Sequence, residues 1–168
     1  NTGGQKSSAT PLYAATGSTP SGKRSGKKNL TEIMAAHEIP YAATASASHL
    51  PDLVRKVEKA KSIRGTRVIT VLVPCLAGWG LPDEAGVATA RLAVETGVFP
   101  LYEVEDGRRY TLNQAPRSRP VKDYLDFQKR YRHLTAEDLN DIQVAVDGNW
   151  DRLMGRVAAS KQTESANV

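Results

Sequence analysis

The chain has 168 residues, which is enough for one domain with a buried core and too few for two comfortable ones. Its 23 Lys and Arg residues against 18 Asp and Glu give a formal net charge of +5, which suits an acidic partner without indicating nucleic acid. One cysteine excludes an intrachain disulfide framework, and no apolar run approaches the roughly 20 residues of a membrane span. We therefore expect a soluble, cytoplasmic protein with no membrane partner.

Residues 1–28 are predicted to form a loop, because small and polar residues dominate and no strand or helix period is visible. A Gly-Gly turn at Gly3 and Gly4 could present N–H groups to a phosphate, although such pairs are more often simple turns. Four basic residues form a cluster: Lys23, Arg24, Lys27 and Lys28. This cluster is either a solvated loop face or a docking site for an acidic partner.

A helix is predicted to begin at Asn29 and end before Pro40, followed by a short strand of small residues over 41–47. A second helix is predicted near Pro51, where a missing N–H costs nothing. Its residues predicted to face inward are Leu53, Val54, Val57 and Ala60. Those predicted to face outward are Arg55, Lys56, Glu58, Lys59 and Lys61. In the first of these helices, the apolar residues on one face are Leu30, Ile33 and Met34.

The segment Arg67–Val73 predicts a strand buried on both faces, as in a parallel sheet, because β-branched and apolar residues follow each other without alternation. Together with the preceding strand and helix it predicts a parallel unit. Pro74 ends the strand, so Cys75 lies just past its carboxyl end, where open α/β sheets bind ligands. From the residues alone, Cys75 is either a small buried hydrophobe or a ligand or nucleophile.

The second half of the chain is predicted to contain a helix over about 83–96 capped by Gly97, and a hairpin turning at Asp106-Gly107. A linker at 114–120 precedes a short helix over 121–131. A last helix begins after Thr135 and runs to about Ala159, with a fraying tail beyond it. Its apolar stripe, predicted to face the core or another subunit, is Leu139, Ile142, Val146, Trp150, Leu153 and Val157.

Several segments in order along the chain resemble one family. They are NTGGQ (Asn1–Gln5) with Ser7, Ser8 and Ala9-Thr10-Pro11, then Glu32–Ser46, Pro74-Cys75 with Gly78-Trp79, Arg91–Gly107 and Asp123–Thr135. Together they resemble the β subunits of 2-oxoacid:ferredoxin oxidoreductases, above all those that oxidise pyruvate. The resemblance covers nearly the whole chain, which makes it more specific than any single motif. One departure is Leu76-Ala77, where the family usually has Pro-Thr.

The resemblance implies an α/β fold that is part of a thiamine diphosphate-binding parallel sheet with helices on both faces, plus a C-terminal hairpin and helical extension. We expect residues 1–112 to be the C-terminal part of the thiamine diphosphate-binding domain. Residues 113–168 are then the helical extension. Because the chain starts at Asn1 and not at Met, we also expect further residues upstream in the parent protein.

The resemblance also implies thiamine diphosphate, Mg²⁺ and a [4Fe-4S] cluster as cofactors. Cys75 matches the family's fourth cluster ligand. Asn1 matches the residue beside the substrate and the thiazolium, and Thr2, Gly3 and Gly4 would line the cofactor pocket. The Mg²⁺ ligands and the other cluster cysteines are expected upstream of Asn1 or in partner chains.

The implied activity is oxidative decarboxylation of a 2-oxoacid with coenzyme A to acyl-CoA and CO₂, with electrons passed to ferredoxin. Pyruvate is expected first, a branched-chain or aromatic 2-oxoacid second and oxalate third. The implied partners are other subunits of α, γ and δ type. No nucleic acid is expected as a partner. Two alternatives remain open: a non-catalytic subunit that keeps the fold, and a thiamine enzyme without the cluster.

Overall fold

A four-stranded mixed sheet with the order β2-β1-β3-β4 organises the chain. The structure, a computed structural model, describes residues 4–116 and 119–166. The strands are β1 (Tyr41–Ser46), β2 (Arg67–Leu72), β3 (Leu101–Glu105) and β4 (Arg109–Gln114). β1 pairs in parallel with β2 and antiparallel with β3, which pairs antiparallel with β4. The α/β class and the parallel unit are confirmed, and the hairpin belongs to the same sheet.

Six helices surround the sheet in the described part of the chain. They are α1 (Leu30–Ala36), α2 (Leu50–Ser62), α3 (Leu76–Trp79), α4 (Gly86–Glu95), α5 (Val121–Leu125) and α6 (Ala136–Ala166). Short 3₁₀ turns cover Asp83–Ala85 and Lys129–Tyr131, so the helix expected over 121–131 is two pieces. Within the described ranges, no helix combines the length and the apolar character needed to cross a membrane.

The local signals for element ends are confirmed. The Asn29 side chain accepts a hydrogen bond from the Glu32 N–H at 3.3 Å and so caps α1. At the start of α6, the Thr135 hydroxyl accepts from the Asp138 N–H at 3.1 Å while the Asp138 carboxylate accepts from the Thr135 N–H. The hairpin turn places Asp106 at φ 50° and Gly107 at φ 67°, as a two-residue turn of this hand requires.

The last helix, α6, carries most of the packing outside the sheet. Its stripe is confirmed as core-facing, because Ile142, Leu153 and Val157 are buried. The helix also continues to Ala166, so the end predicted at about Ala159 is wrong, while the fraying predicted for residues 160–168 stays a prediction. Ser160 explains the extension, since its hydroxyl accepts from the Tyr110 N–H of β4 at 2.9 Å and ties this turn to the hairpin.

Two burial predictions are wrong. β2 is not buried on both faces: Val71 is 41% exposed, because in the described part of the chain β2 pairs on one side only and forms the sheet edge. In α2, Lys56 is fully buried and Val54 is 58% exposed, the reverse of the prediction. In α1, Leu30 is half exposed, whereas Met34 packs against a buried apolar cluster.

Candidate functional site

The turn after β2 holds Cys75 in a defined position. Cys75 is the N-cap of the short helix α3, and its half-buried Sγ accepts a hydrogen bond from the Gly78 N–H at 3.4 Å. The turn ends at Gly80, where φ is 65° and an added Cβ would lie 2.6 Å from the Lys129 Cβ. The backbone therefore needs glycine at position 80 to close the turn around the thiol.

Arg130 connects this turn to the N-terminal loop. Its guanidinium lies over the Trp79 ring, 3.9 Å from the ring centroid. The Arg130 carbonyl accepts from the Ala15 N–H at 3.0 Å, and its Nε donates to the Gln128 Oε1 at 2.8 Å. One residue thus brings the Cys75 turn, the loop before α1 and the segment before α6 into a single arrangement.

Two basic side chains, those of Arg130 and Lys27, lie in this arrangement. The Lys27 ammonium lies 5.2 Å from the centroid of the Phe99 ring. Burial lowers the pKa of Lys27, and the nearby positive charge of Arg130 lowers it further. The Arg130 guanidinium beside Trp79 would stabilise an anionic group bound at the turn, and a cluster with four thiolate ligands would be such a group.

Cys75 fits the role of one iron–sulfur ligand. A half-buried thiol that accepts a backbone N–H matches the environment of cluster cysteines, whose hydrogen bonds help to set the reduction potential. Within residues 4–116 and 119–163, no group of three or more His, Cys, Asp or Glu side chains could hold a metal ion. Cys75 is the one cysteine of the chain, and its role as a cluster ligand stays a prediction.

The other residues implied as site residues lie at the start of the chain. Asn1, Thr2 and Gly3 fall outside the described residues. Gly4 is described: its carbonyl accepts from the Ser18 N–H at 3.0 Å, and a Cβ on Gly17 would lie only 2.8 Å from the same oxygen. Gly4 is thus packed closely against the 16–19 turn. The cofactor-binding role of Gly4 stays a prediction.

The basic cluster after Pro20 is not a uniformly solvated face. Lys23 is only 5% exposed, and its ammonium donates to the carbonyls of Thr10 at 2.7 Å and Gly26 at 2.9 Å. The solvated interpretation is therefore wrong for Lys23. Arg24 lies over the Tyr13 ring and forms an ion pair with Asp138 at 3.6 Å.

Sequence reasoning missed Arg130 and Lys129. Both belong to the QKRYR run over 128–132, which lies within a segment used for the family resemblance but received no role. Their contacts with Trp79 and Gly80 join positions far apart in the chain. No local period or motif marks such a contact, so only the run of charges could have drawn attention to them.

No protein-family model matches the chain. Pyruvate synthase subunit PorB of Methanocaldococcus jannaschii is 54% identical over 153 residues, covering 88% of this chain and 51% of the relative. Ketoisovalerate oxidoreductase subunit VorB of Pyrococcus horikoshii is 42% identical over 161 residues, covering 91% of this chain and 51% of the relative. Pyruvate synthase subunit PorB of Thermotoga maritima is 42% identical over 165 residues, covering 92% and 51%.

These similarities confirm the resemblance drawn from the motifs. The matches extend over about nine-tenths of the chain, and the relatives carry two substrate names, pyruvate and ketoisovalerate. The chain spans about half the length of the curated relatives it matches. It is a homologue of pyruvate synthase and ketoisovalerate oxidoreductase subunits over that part of their length.

Proposed function

We propose that the chain is part of the β subunit of a thiamine diphosphate-dependent 2-oxoacid:ferredoxin oxidoreductase. The reaction is the oxidative decarboxylation of a 2-oxoacid with coenzyme A to acyl-CoA and CO₂, with ferredoxin as the electron acceptor. The observation that carries the proposal is Cys75, held half-buried beside the Trp79–Arg130 pair in a chain whose relatives are oxidoreductase subunits.

Pyruvate is the proposed substrate. The relative named pyruvate synthase subunit from Methanocaldococcus jannaschii is 54% identical, whereas the ketoisovalerate relative from Pyrococcus horikoshii is 42% identical. Comparing turnover of pyruvate with turnover of 2-oxoisovalerate in the purified assembly tests this choice. Faster turnover of 2-oxoisovalerate at equal concentration would replace pyruvate with a branched-chain substrate.

In this proposal each residue of the chain has a limited task. The Cys75 thiolate binds one iron of a [4Fe-4S] cluster, and the Gly78 N–H donates to the same sulfur. The Trp79 ring and the Arg130 guanidinium cover the turn and add positive charge beside the anionic ligand set. The Asn1 amide would hydrogen-bond the substrate carboxylate, and Thr2, Gly3 and Gly4 would border the cofactor. When bound, thiamine diphosphate with Mg²⁺ supplies the decarboxylation chemistry and the cluster accepts single electrons.

We further propose that the sheet continues beyond β2, and that residues up to about 112 are the C-terminal part of a larger thiamine diphosphate-binding domain. Two observations support this. The β2 strand is apolar, parallel to its partner and partly exposed at the sheet edge, an arrangement that parallel sheets seldom leave uncovered. The relatives are also about twice as long as the matched region.

The decisive experiment measures iron, acid-labile sulfide and thiamine diphosphate in the purified full-length assembly, native against Cys75→Ser. We expect the variant to lose one cluster's share of iron and sulfide and to keep its thiamine. Val73→Ser is the matched control, because it introduces the same hydroxyl at a nearby exposed residue and leaves the thiol in place.

Two outcomes would contradict the proposal. Unchanged iron in Cys75→Ser would make Cys75 an ordinary thiol, leaving a thiamine enzyme whose electron path lies elsewhere. A native assembly without thiamine would instead favour a non-catalytic subunit that keeps the fold.

A further inference from the structure

A cavity of about 380 Å³ opens in the loop that precedes α1. Three lysines and three serines line it: Lys6, Lys23, Lys28, Ser7, Ser8 and Ser25. The residues come from two stretches of the same loop that face each other. None of them is used in the proposed chemistry at Cys75.

The loop holds these residues in place through its own hydrogen bonds. The Lys28 N–H donates to the Ser8 carbonyl at 3.0 Å, which joins the two stretches. The Lys6 N–H donates to the Ser18 hydroxyl at 2.9 Å. These backbone hydrogen bonds hold the two stretches side by side, so both exposed lysines start from neighbouring backbone positions.

Lys23 forms the buried side of the cavity. Its ammonium donates to two neutral carbonyls, those of Thr10 and Gly26, and a lysine ammonium has three N–H groups in all. These carbonyls satisfy hydrogen bonds but cancel no charge. A buried ammonium with only neutral partners is costly, so an anion near it would be strongly favoured.

The charge at this cavity is uncompensated in the described part of the chain. Burial lowers the pKa of Lys23, and the positive charges of Lys6 and Lys28 lower it further, with no carboxylate of residues 4–116 or 119–163 acting in the opposite direction. Among the described residues, Lys56 is the other buried lysine, and it donates to the Asp52 carboxylate at 2.6 Å. Three ammonium groups thus line one cavity, an arrangement that would favour a bound anion.

We propose that this cavity binds a phosphate group. Lysine ammonium groups act as point charges toward phosphate oxygens, and serine hydroxyls can donate to the same tetrahedral group. A cavity of about 380 Å³ also has room for a phosphate or a diphosphate. The phosphate comes either from an inorganic ion or from a coenzyme that carries phosphate groups. The proposal concerns only these loop residues and does not depend on the function of Cys75.

The test is calorimetric titration of the full-length protein in its native assembly with inorganic phosphate, pyrophosphate, coenzyme A and dephospho-coenzyme A. The variants are Lys6→Gln and Lys28→Gln, which leave the structural contacts of Lys23 intact. Each should weaken phosphate binding about tenfold, the usual scale for one charge-assisted contact. Lys61→Gln is the control, because this exposed lysine pairs with Glu58 on a different surface, and it should leave the affinity unchanged.

The probes separate the two sources. Weaker binding of inorganic phosphate or pyrophosphate alone assigns the site to the free ion. Weaker binding of coenzyme A but not of dephospho-coenzyme A assigns it to the 3′-phosphate, and weaker binding of both assigns it to the coenzyme diphosphate. If neither lysine variant changes the affinity for any probe, the proposal is overturned, even if the variants weaken binding of an acidic protein such as ferredoxin. Affinity is measured without turnover, so failure here is distinct from failure of the proposed function.

Discussion

The two faces of the sheet are stabilised in different ways. The face that packs against α6 is apolar, with Ala42, Val104, Leu153 and Val157 in one buried cluster. The opposite face, beneath α2, instead places the carboxylate of Glu103 in the interior at 4% exposure. The apolar face gains from area removed from water, which requires shape but no particular partner. On the polar face, a buried carboxylate is tolerated only if hydrogen-bond donors compensate for its lost hydration.

Glu103 meets that requirement with three donors. The Lys59 ammonium donates at 2.8 Å, the Tyr41 hydroxyl at 3.0 Å and the Asn113 amide at 2.8 Å. Burial alone would raise the pKa of this carboxyl, but the hydrogen bonds from Lys59, Tyr41 and Asn113 outweigh burial and hold the pKa below its ordinary value. The difference between the two faces can be tested by three substitutions.

The largest effect is expected on the apolar face. Leu153→Ala removes a buried side chain and leaves a cavity between α6 and the sheet, which should lower the free energy of unfolding by about 3 kcal/mol. Urea unfolding measures the change. Val144→Ala on the same helix is the control, because Val144 is 62% exposed and its truncation should have little effect. Equal losses for both variants would mean that α6 does not pack through this stripe.

Glu103→Gln should have the next largest effect. The amide keeps the size of the side chain but removes its charge, so the variant should lose about 2 kcal/mol at neutral pH. Because the folded-state pKa of Glu103 is lowered, its stabilisation is present above the unfolded pKa of about 4.3 and is lost as the pH falls through the folded value. The difference between native protein and variant should therefore shrink in acid.

Urea unfolding across this pH range measures that difference. Glu58→Gln provides the control, since Glu58 forms an exposed pair with Lys61 and should change stability little at any pH. A Glu103→Gln deficit that stays constant down to pH 3 would show that the charge of Glu103 is not what stabilises this face.

Local chemistry made the hairpin, the helix caps and the α6 stripe predictable. Each depends on residues close in sequence, such as Asp106-Gly107 and Thr135 with Asp138. The orientation of α2 was not predictable in this way. Lys56 faces inward because the Thr44 carbonyl and the Asp52 carboxylate accept from it at 2.7 and 2.6 Å, and an apolar period cannot reveal such a network.

In the candidate site, too, only the features that depend on local sequence were predictable. The position of Cys75 followed from the strand that Pro74 ends, which is a local signal. The contact of Arg130 with Trp79 and the cavity formed by Lys6 and Lys28 depend on tertiary packing. Sequence alone therefore identified the ligand candidate but neither the Arg130–Trp79 contact nor the lysine-lined cavity.

The smallest effect is expected for Tyr41→Phe. Tyr41 is fully buried, and burial followed by the negative charge of Glu103 raises the pKa of its hydroxyl, so it stays a neutral donor at any working pH. Removing this one hydrogen bond should lower the free energy of unfolding by about 1 kcal/mol. With one donor fewer, the pKa of Glu103 rises toward its ordinary value, so the acid-induced loss of stability should be smaller and should end at a higher pH than in native protein. Tyr13→Phe is the control, because the Tyr13 hydroxyl donates to Asp141 at the surface, and its removal should leave the acid-induced loss of stability as in native protein.

If Tyr41→Phe also leaves this loss as in native protein, the Tyr41 hydroxyl does not contribute to holding the charge of Glu103.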